Sequence, residues 1–399
     1  MKKILALILA TLMMLGMMAT ASAENENGEY VVAISVSYTG PNAQNGLEAI
    51  NGLEMALDYI NANGGFNGAK GVMGTKYDTK GSTEEAVKTA QKLTSGSEHI
   101  DAVIASQVSS EVMAAGPTYN DAGMFTVGMG TSATWMKQGW DYLIRGSVNY
   151  DFVAPNVIKM LSTLGISNCA VMFDQSEAAL SFADTFKALA AEANIEIPVE
   201  ESCETDDTDV TSQVIRILSA DPQAVFMSMT SNDAGYFVKQ LRQNGYNGLI
   251  FDKESFFATM VDIAGAENSN YILFANPYVT YASLDDCDIP NMKAFLEEYN
   301  ARYGYLPTTE IAYRAWDSAM VIWEATKIAG SNETQAMLDA VDQIKIEGLG
   351  GTMDYSNGDG EPYHAVRCFI LLDGKNLDFD TWLANGGYDT YKAETGREF

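Results

Sequence analysis

The sequence has 399 residues, of which 47% are hydrophobic and 19% charged, so the chain can bury a large core and is not disordered over its length. Acidic residues outnumber basic residues by 53 to 24, which gives a formal net charge of −29. This charge excludes a nucleic-acid-binding protein and disfavours docking on an anionic membrane surface, and the length predicts two or three domains.

Residues 1–23 have the pattern of a secretory signal peptide. Lys2 and Lys3 precede an apolar run, and Ala21-Ser22-Ala23 forms a small-residue cleavage site. We therefore expect an exported, soluble protein, periplasmic or secreted, whose mature chain begins near Glu24. Because no cysteine lies beside the cut, we do not expect a lipoprotein.

Short apolar runs alternate with amphipathic helices through most of the chain. Tyr30–Tyr38 is rich in β-branched and aromatic residues and predicts a strand, and the next stretch places Leu47, Ile50 and Leu53 on one face of a helix. The first series continues with strand 72–77, helix 83–93, strand 102–105, helix 112–119 and strands 124–127 and 142–145. The second series has helices 152–164, 180–193, 210–218, 234–243 and 257–264, with strands 169–173, 195–200, 224–229, 249–251 and 271–275.

Two such series predict an α/β protein with two lobes built on mostly parallel sheets. A helix-rich stretch follows, with helices predicted at 292–303, 311–329 and 334–341. Pro362–Asp373 then resembles a hairpin arm, with Asn357-Gly358 as its turn because that pair tolerates positive φ.

Motifs for catalysis, metals and cofactors are weak or absent. The chain has only two histidines, far apart in sequence, and neither a GxSxG elbow nor a P-loop, so we expect no enzyme activity and no metal. Gly128–Ala133 fits GxGxxA but follows the fourth strand, and the position of the expected acid holds Tyr150, so we expect no cofactor. That turn can instead bring a small ligand close to backbone amides at a helix start. Asp206–Asp209 is interpreted as an acidic N-cap.

The disulfide pattern stays open at this stage. The four cysteines permit two bridges in an oxidising compartment, and the spacing does not select a pairing. Those residues are Cys169, Cys203, Cys287 and Cys368.

Several motifs together resemble the leucine/isoleucine/valine-binding protein family, the type I periplasmic solute receptors of ABC importers. They occur in the expected order over nearly the whole mature chain. The matching segments are Tyr38–Pro41 with Asp58–Gly65, Ser109-Ser110, Gly123–Trp135, Asp209–Val225, Ala312–Ala325 and Gly348–Asp359.

The resemblance implies two Rossmann-like lobes joined by a three-strand hinge, with the ligand in the cleft between them. Lobe 1 is expected to comprise residues 30–145 plus 283–350, and lobe 2 residues 146–282 plus 351–399. It also implies a monomer that captures an amino acid or similar small molecule and presents it to ABC transporter permease subunits.

The resemblance assigns ligand-binding positions. Ser109, the backbone near Gly130 and Ser132 match the positions in lobe 1 that hold the carboxylate and amine of an amino acid. Glu254 in lobe 2 matches the acid that pairs with the ligand's ammonium group. Asp233 is the alternative for that role.

The side-chain pocket departs from the branched-chain pattern. Asn45 stands where the family has an aromatic residue, and Thr230-Ser231 replace a tyrosine pair, while Tyr150 is a candidate for replacement stacking. Another polar amino acid, an amide or a small carboxylate therefore fits as well as leucine. A ligand-sensing receptor domain of the same fold is the alternative function.

Overall fold

The computed structural model describes residues 28–40, 43–253, 258–287 and 289–397. The predicted signal peptide and Glu254 lie outside these residues. In the described part, two parallel-stranded sheets carry the fold, and a third, smaller sheet lies after the last long helix.

The first lobe is built on a five-stranded, fully parallel sheet of order β2-β1-β3-β4-β5. Apolar residues of β1 alternate between the two faces of the sheet. Val32 and Ile34 pack towards helices Ala43–Ala62 and Ile311–Ala329, whereas Ala33 packs towards helices Thr83–Leu93 and Ser109–Asp121. The strands are β1 (Glu29–Val36), β2 (Lys70–Asp78), β3 (Ala102–Ala105), β4 (Thr126–Gly128) and β5 (Leu143–Arg145), and the helices are α1 (Ala43–Ala62), α2 (Thr83–Leu93), α3 (Ser109–Asp121), α9 (Pro290–Tyr303), α10 (Ile311–Ala329) and α11 (Thr334–Ala340).

The second lobe is built on a seven-stranded sheet of order β7-β6-β8-β9-β10-β14-β15, in which the first five strands are parallel and the last two antiparallel. Its strands are β6 (Cys169–Asp174), β7 (Glu200–Cys203), β8 (Ala224–Ser228), β9 (Leu249–Asp252), β10 (Ile272–Asn276), β14 (Arg367–Leu372) and β15 (Lys375–Asp378). Its helices are α4 (Tyr150–Thr163), α5 (Glu177–Glu192), α6 (Thr211–Ser219), α7 (Ser231–Gln243), α8 (Ala258–Ala264), α12 (Phe379–Ala384) and α13 (Gly387–Thr395).

The small sheet is antiparallel and consists of β11 (Lys345–Gly348), β12 (Gly351–Asp354) and β13 (Tyr363–His364). Short 3₁₀ turns occur at Trp135–Gln138, Glu267–Ser269, Leu284–Asp286 and Val341–Gln343.

The parallel strands of the two lobes have the same spatial order. In each lobe the second strand along the chain forms one edge of the parallel part, beside the first strand, and the third, fourth and fifth strands follow on the opposite side of the first. The chain passes between the lobes three times, after β5, after β10 and after the small sheet. The predicted α/β class with two lobes and a three-strand hinge is confirmed.

Two predicted elements need correction. The strand predicted at 195–200 begins at Glu200, because Pro198 has no N–H for the ladder and only an isolated bridge joins Glu196 to Asn168. The predicted arm Pro362–Asp373 is split between two sheets: β13 pairs with β12, whereas β14 pairs with β10 and β15. Asn357-Gly358 lies in the loop between β12 and β13, where Gly358 has φ of 76°.

All four cysteines are free thiols, so no disulfide joins any pair that the sequence left open. Within the described ranges, no helix has the length and apolar character needed to span a membrane. The same ranges contain no group of three or more histidine, cysteine, aspartate or glutamate residues placed to hold a metal ion.

Candidate functional site

A cleft of about 690 Å³ lies between the two lobes. It is formed where the parallel strands of both sheets reach their carboxyl ends, which is where ligands bind in open α/β sheets. Lobe 1 contributes Gln44, Asn45, Gly81, Gln107, Val108, Ser109, Ser110, Thr131, Ile311 and Arg314. Lobe 2 contributes Gln175, Ser176, Glu177, Ala178, Leu180, Thr205, Asp206, Thr230, Ser231, Asn232, Lys253 and Thr259.

Ser109 is the first residue of α3 and lines the cleft. It is buried, and its Oγ accepts hydrogen bonds from the backbone N–H groups of Thr131 and Ser132, each at 3.1 Å. A hydroxyl oxygen that accepts two bonds still has its own proton to donate. Ser109 therefore fixes the turn after β4 and keeps one donor for a ligand.

The side chains of Arg145 and Ser147 hold the turn after β4 by hydrogen bonds to its backbone carbonyls. Arg145 donates to the carbonyl of Gly130 and, at 2.7 Å, to the carbonyl of Ser132. Ser147 also donates to the Gly130 carbonyl at 3.1 Å. A Cβ at Gly130 would lie 3.0 Å from the Cα of Ser109, so glycine permits the close approach of the two segments.

This arrangement differs from the predicted ligand site at a helix start. The turn leads into the 3₁₀ segment Trp135–Gln138, not into an α-helix, and the amides of Thr131 and Ser132 are taken by Ser109. The Gly130 carbonyl is likewise occupied by protein donors. Neither Gly130 nor Ser132 is among the residues that line the cleft.

The Ser132 side chain crosses between the lobes. Its Oγ lies 2.9 Å from Oε1 of Glu177, the first residue of α5, and the Thr134 hydroxyl donates to the same oxygen. The other carboxylate oxygen, Oε2 of Glu177, is buried and has no hydrogen-bond partner. Glu177 lines the cleft, so it offers an acceptor there that the sequence analysis did not single out.

Tyr150 does not line the cleft. Its buried ring packs on Phe182 with a centroid distance of 5.1 Å, and the Nζ of Lys253 lies 5.4 Å from the ring centroid. Lys253 is only 2% exposed and does line the cleft, which makes it a buried positive charge in the wall of lobe 2.

The remaining predicted positions have three different outcomes. Asn45 and Ser231 line the cleft. Asp233 is buried below it and accepts the N–H of Asp206, and burial together with the neighbouring Asp174 raises the pKa of Asp233 to about 7. Glu254 falls outside the described residues, and its predicted role stays a prediction.

Arg314 is a further charged residue at the cleft, after Glu177 and Lys253, that the sequence analysis missed as a site residue. It lies on α10, lines the cleft and is 3% exposed. Its Nη2 donates to the buried carboxylate of Glu310, one helical turn earlier, whereas its Nε is buried and has no partner. The available signal was a Glu–Arg pair at i,i+4 spacing at the start of an otherwise apolar helix.

Buried hydrogen bonds connect the strand ends in the lobe 1 wall. Glu111 on α3 accepts hydrogen bonds from the hydroxyls of Ser37, Thr79 and Ser106, at 2.9, 2.6 and 2.5 Å. These three residues follow β1, β2 and β3, so one carboxyl group ties three strand ends together. Burial raises the pKa of Glu111, and the hydroxyl donors oppose that shift.

Comparison with known sequences identifies relatives over most of the chain. Residues 29–375 match the family described as periplasmic binding protein. The chain is 24% identical over 316 residues to Leu/Ile/Val-binding protein homolog 8 of Brucella abortus, covering 75% of this chain and 77% of the relative. It is 25% identical over 367 residues to homolog 7 of Brucella melitensis, covering 89% of both proteins.

Solved structures share the fold. The branched-chain amino acid transporter substrate-binding protein LivJ from Streptococcus pneumoniae, in complex with isoleucine, has a TM-score of 0.76 at 24% identity, with 87% of this chain and 97% of that chain covered. A solute-binding protein of an ABC transporter from R. palustris, in complex with benzoate, has a TM-score of 0.76 at 18% identity, with 88% and 95% covered. With two lobes built on mostly parallel sheets around one cleft and a family match over residues 29–375, the chain belongs to the periplasmic binding protein family.

Proposed function

We propose that this protein is an extracytoplasmic solute-binding protein of an ABC importer that captures an amino acid or a similar small polar solute in the interlobe cleft. The observation that carries the proposal is the cleft itself, because both lobes contribute polar side chains to it at the carboxyl ends of their strands. A solute held there contacts both lobes at once. Its binding energy then favours the closed arrangement of the lobes.

Structural relatives support binding of a small solute. LivJ from Streptococcus pneumoniae was solved with isoleucine and the R. palustris protein with benzoate. These two solutes differ in shape and share a carboxylate, so proteins of this fold hold small carboxylate-bearing solutes of more than one shape.

The lining of this cleft favours a polar solute over a branched aliphatic one. Amide and hydroxyl side chains dominate both walls, and the larger apolar contributions come from Val108, Leu180 and Ile311. Asn45 and Ser231 belong to the polar set, in line with the expected departure from the branched-chain pattern. An aliphatic side chain would leave these polar groups without partners, which is costly in a closed cleft.

The proposed mechanism is hinge closure of a monomer. We take lobe 1 as residues 30–145 plus 283–350 together with β12 and β13, which pair with β11, and lobe 2 as residues 146–282 plus the chain after β13. The three passages between the lobes allow rotation as rigid bodies. The closed, loaded form is the one presented to the permease subunits. Export by cleavage after Ala23, without lipidation, places the protein outside the cytoplasm.

Ligand screening by thermal shift tests the proposal. Amino acids, their amides and small organic acids are added one at a time to the purified protein, at concentrations far above micromolar affinity. We expect at least one solute to raise the melting temperature, because a ligand present at 100 times its Kd stabilises by about 2.7 kcal/mol. Turnover of the bound solute, or no stabilisation by any solute in the panel, contradicts the proposal.

A further inference from the structure

The guanidinium of Arg314 has one donor, its Nε–H, that no protein group accepts. Nη2 is paired with Glu310, and the whole side chain is 3% exposed, yet Nε is buried without a hydrogen-bond partner. Buried polar groups in folded proteins are almost always paired, and a charged donor left alone costs more than a neutral one. Because Arg314 lines the cleft, the missing acceptor fits a group that belongs to the solute.

We propose that the solute carries a carboxylate and that Arg314 anchors it from the lobe 1 side of the cleft. The inference rests on the proposed function and assigns its substrate class: polar organic acids, including acidic amino acids. Guanidinium N–H groups form charge-assisted hydrogen bonds with carboxylates, and the Nε–H of Arg314 is the free donor for such a bond. The bond from Nη2 to Glu310 holds the guanidinium in place, so the anchor is oriented before the solute arrives.

Charged groups on the lobe 2 wall of the cleft bear on the orientation in which the solute binds. Lobe 2 presents Glu177 and Asp206, together with the buried Lys253. Oε2 of Glu177 is buried without a partner and repels a carboxylate placed beside it, whereas it accepts a hydrogen bond from an ammonium or hydroxyl group. A carboxylate placed at Arg314 stays away from Glu177, and the donor groups of the solute then lie towards the start of α5.

The first test compares acids with their amides in the unmodified protein. The probes are four matched pairs in which the amide has no carboxylate left: glutamate and its diamide, aspartate and its diamide, succinate and succinamide, benzoate and benzamide. We expect at least one acid to bind about tenfold or more tightly than its amide by calorimetry, because the amide replaces a charge-assisted hydrogen bond with a weaker one. Equal binding of acid and amide in every pair overturns the proposal.

The second test uses variants with the tightest acid. Arg314→Gln is expected to weaken the acid about 30-fold or more, and Arg314→Lys by less, because lysine keeps the charge without the planar donor edge. Arg216→Gln is the matched control, since Arg216 is also paired with a glutamate, Glu201, but lies exposed on α6 away from the cleft. We expect that control to bind like the parent.

The outcomes separate this inference from the proposed function. If neutral solutes bind and no acid does, or if Arg314→Gln binds the acid like the parent, the carboxylate anchor is wrong while solute capture stands. If no solute of any kind binds, both are wrong. Circular dichroism checks the folding of Arg314→Gln, and if that variant is unfolded, the acid–amide comparison and Arg314→Lys decide.

Discussion

The hydroxyl of Tyr278 donates a hydrogen bond to the carboxyl group of Asp317 at 3.0 Å. Tyr278 lies in the second passage between the lobes and Asp317 on α10, so the bond fastens that passage to lobe 1. Asp317 also accepts the backbone N–H of Leu349 at 2.9 Å. Full burial raises the pKa of Asp317 to about 7, although these donors act in the opposite direction.

The first prediction concerns pH and Asp317. Its pKa is about 7 in the folded chain against 3.8 for the free side chain, so between these values the folded protein holds a proton that the unfolded chain has released. The free energy of unfolding should therefore fall as pH rises from about 4 to about 7, by at most about 4 kcal/mol from this group. Urea unfolding of the parent and of Asp317→Asn across this range measures the contribution.

We expect the stability difference between the parent and Asp317→Asn to change with pH, because asparagine does not titrate. Asp262→Asn, at an exposed position on α8, is the control and should track the parent. Parallel pH profiles for the parent and Asp317→Asn would contradict the assignment.

The second prediction concerns the pair Arg145–Glu361, which joins the end of β5 to the loop between β12 and β13. The two side chains are buried with an N–O distance of 3.1 Å, and Glu361 also accepts a bond from Asn149 at 2.6 Å. Glu361→Gln leaves a buried guanidinium without its counter-charge, so we expect a loss of about 3–5 kcal/mol in the free energy of unfolding. Denaturant titration should show this loss, and Lys345→Gln, which breaks an exposed pair with Asp354, should change stability little.

The third prediction separates stability from binding at the start of α3. Ser109→Ala leaves two buried backbone N–H groups without an acceptor, so we expect about 1–3 kcal/mol of destabilisation even without ligand. Ser110→Ala is the matched control, because Ser110 also lines the cleft but is only half-buried. Thermal unfolding without ligand should distinguish the two variants, and an unchanged Ser109→Ala protein would show that its hydroxyl does not hold the turn.

The fourth prediction is that the protein contains four free thiols. Three of the cysteines are buried and the fourth is half-buried, so Ellman's reagent should react with four thiols in denaturant and slowly with the folded protein. A count below four in the denatured protein, prepared without reductant, would reveal a disulfide or an oxidised thiol.

The fifth prediction concerns closure. Small-angle scattering with a saturating solute from the screen should give a smaller radius of gyration than scattering without it, because the solute contacts both lobes. The contact of Glu177 with Ser132 and Thr134 already joins the lobes at one edge of the cleft, so we expect the change to be a rotation about the three passages. An unchanged radius in a sample shown by calorimetry to be loaded would contradict hinge closure.

Much of the fold follows from local patterns in the sequence. The apolar run of β1 and the helix stripe of Leu53 and Leu57 lie within single elements, and their alternation determines the parallel sheets. The errors arise where a strand's partner is remote: the 362–373 stretch looks like one arm, but its two parts pair with different sheets.

The site was less predictable, because its chemistry depends on contacts between distant segments. Ser109 follows β3, so its place at the cleft follows from strand order. The role of Ser132 depends on Glu177 of the other lobe, and that of Arg314 depends on how α10 packs beside the cleft. The hydrophobic pattern of the sequence does not indicate that the Nε of Arg314 lacks a hydrogen-bond partner.

The pairing of β10 with β14 bears on the order in which the chain can fold during synthesis. Asn276 lies opposite Arg367, so the seven-stranded sheet has an open edge at β10 until the stretch between them has been made. The core of lobe 1 is also incomplete until α10 has been synthesised, because it includes Ile311 and Ile322 of that helix. Neither lobe can therefore complete both its sheet and its core until the C-terminal part of the chain has been synthesised, so folding of the two lobes during synthesis should finish late and nearly together.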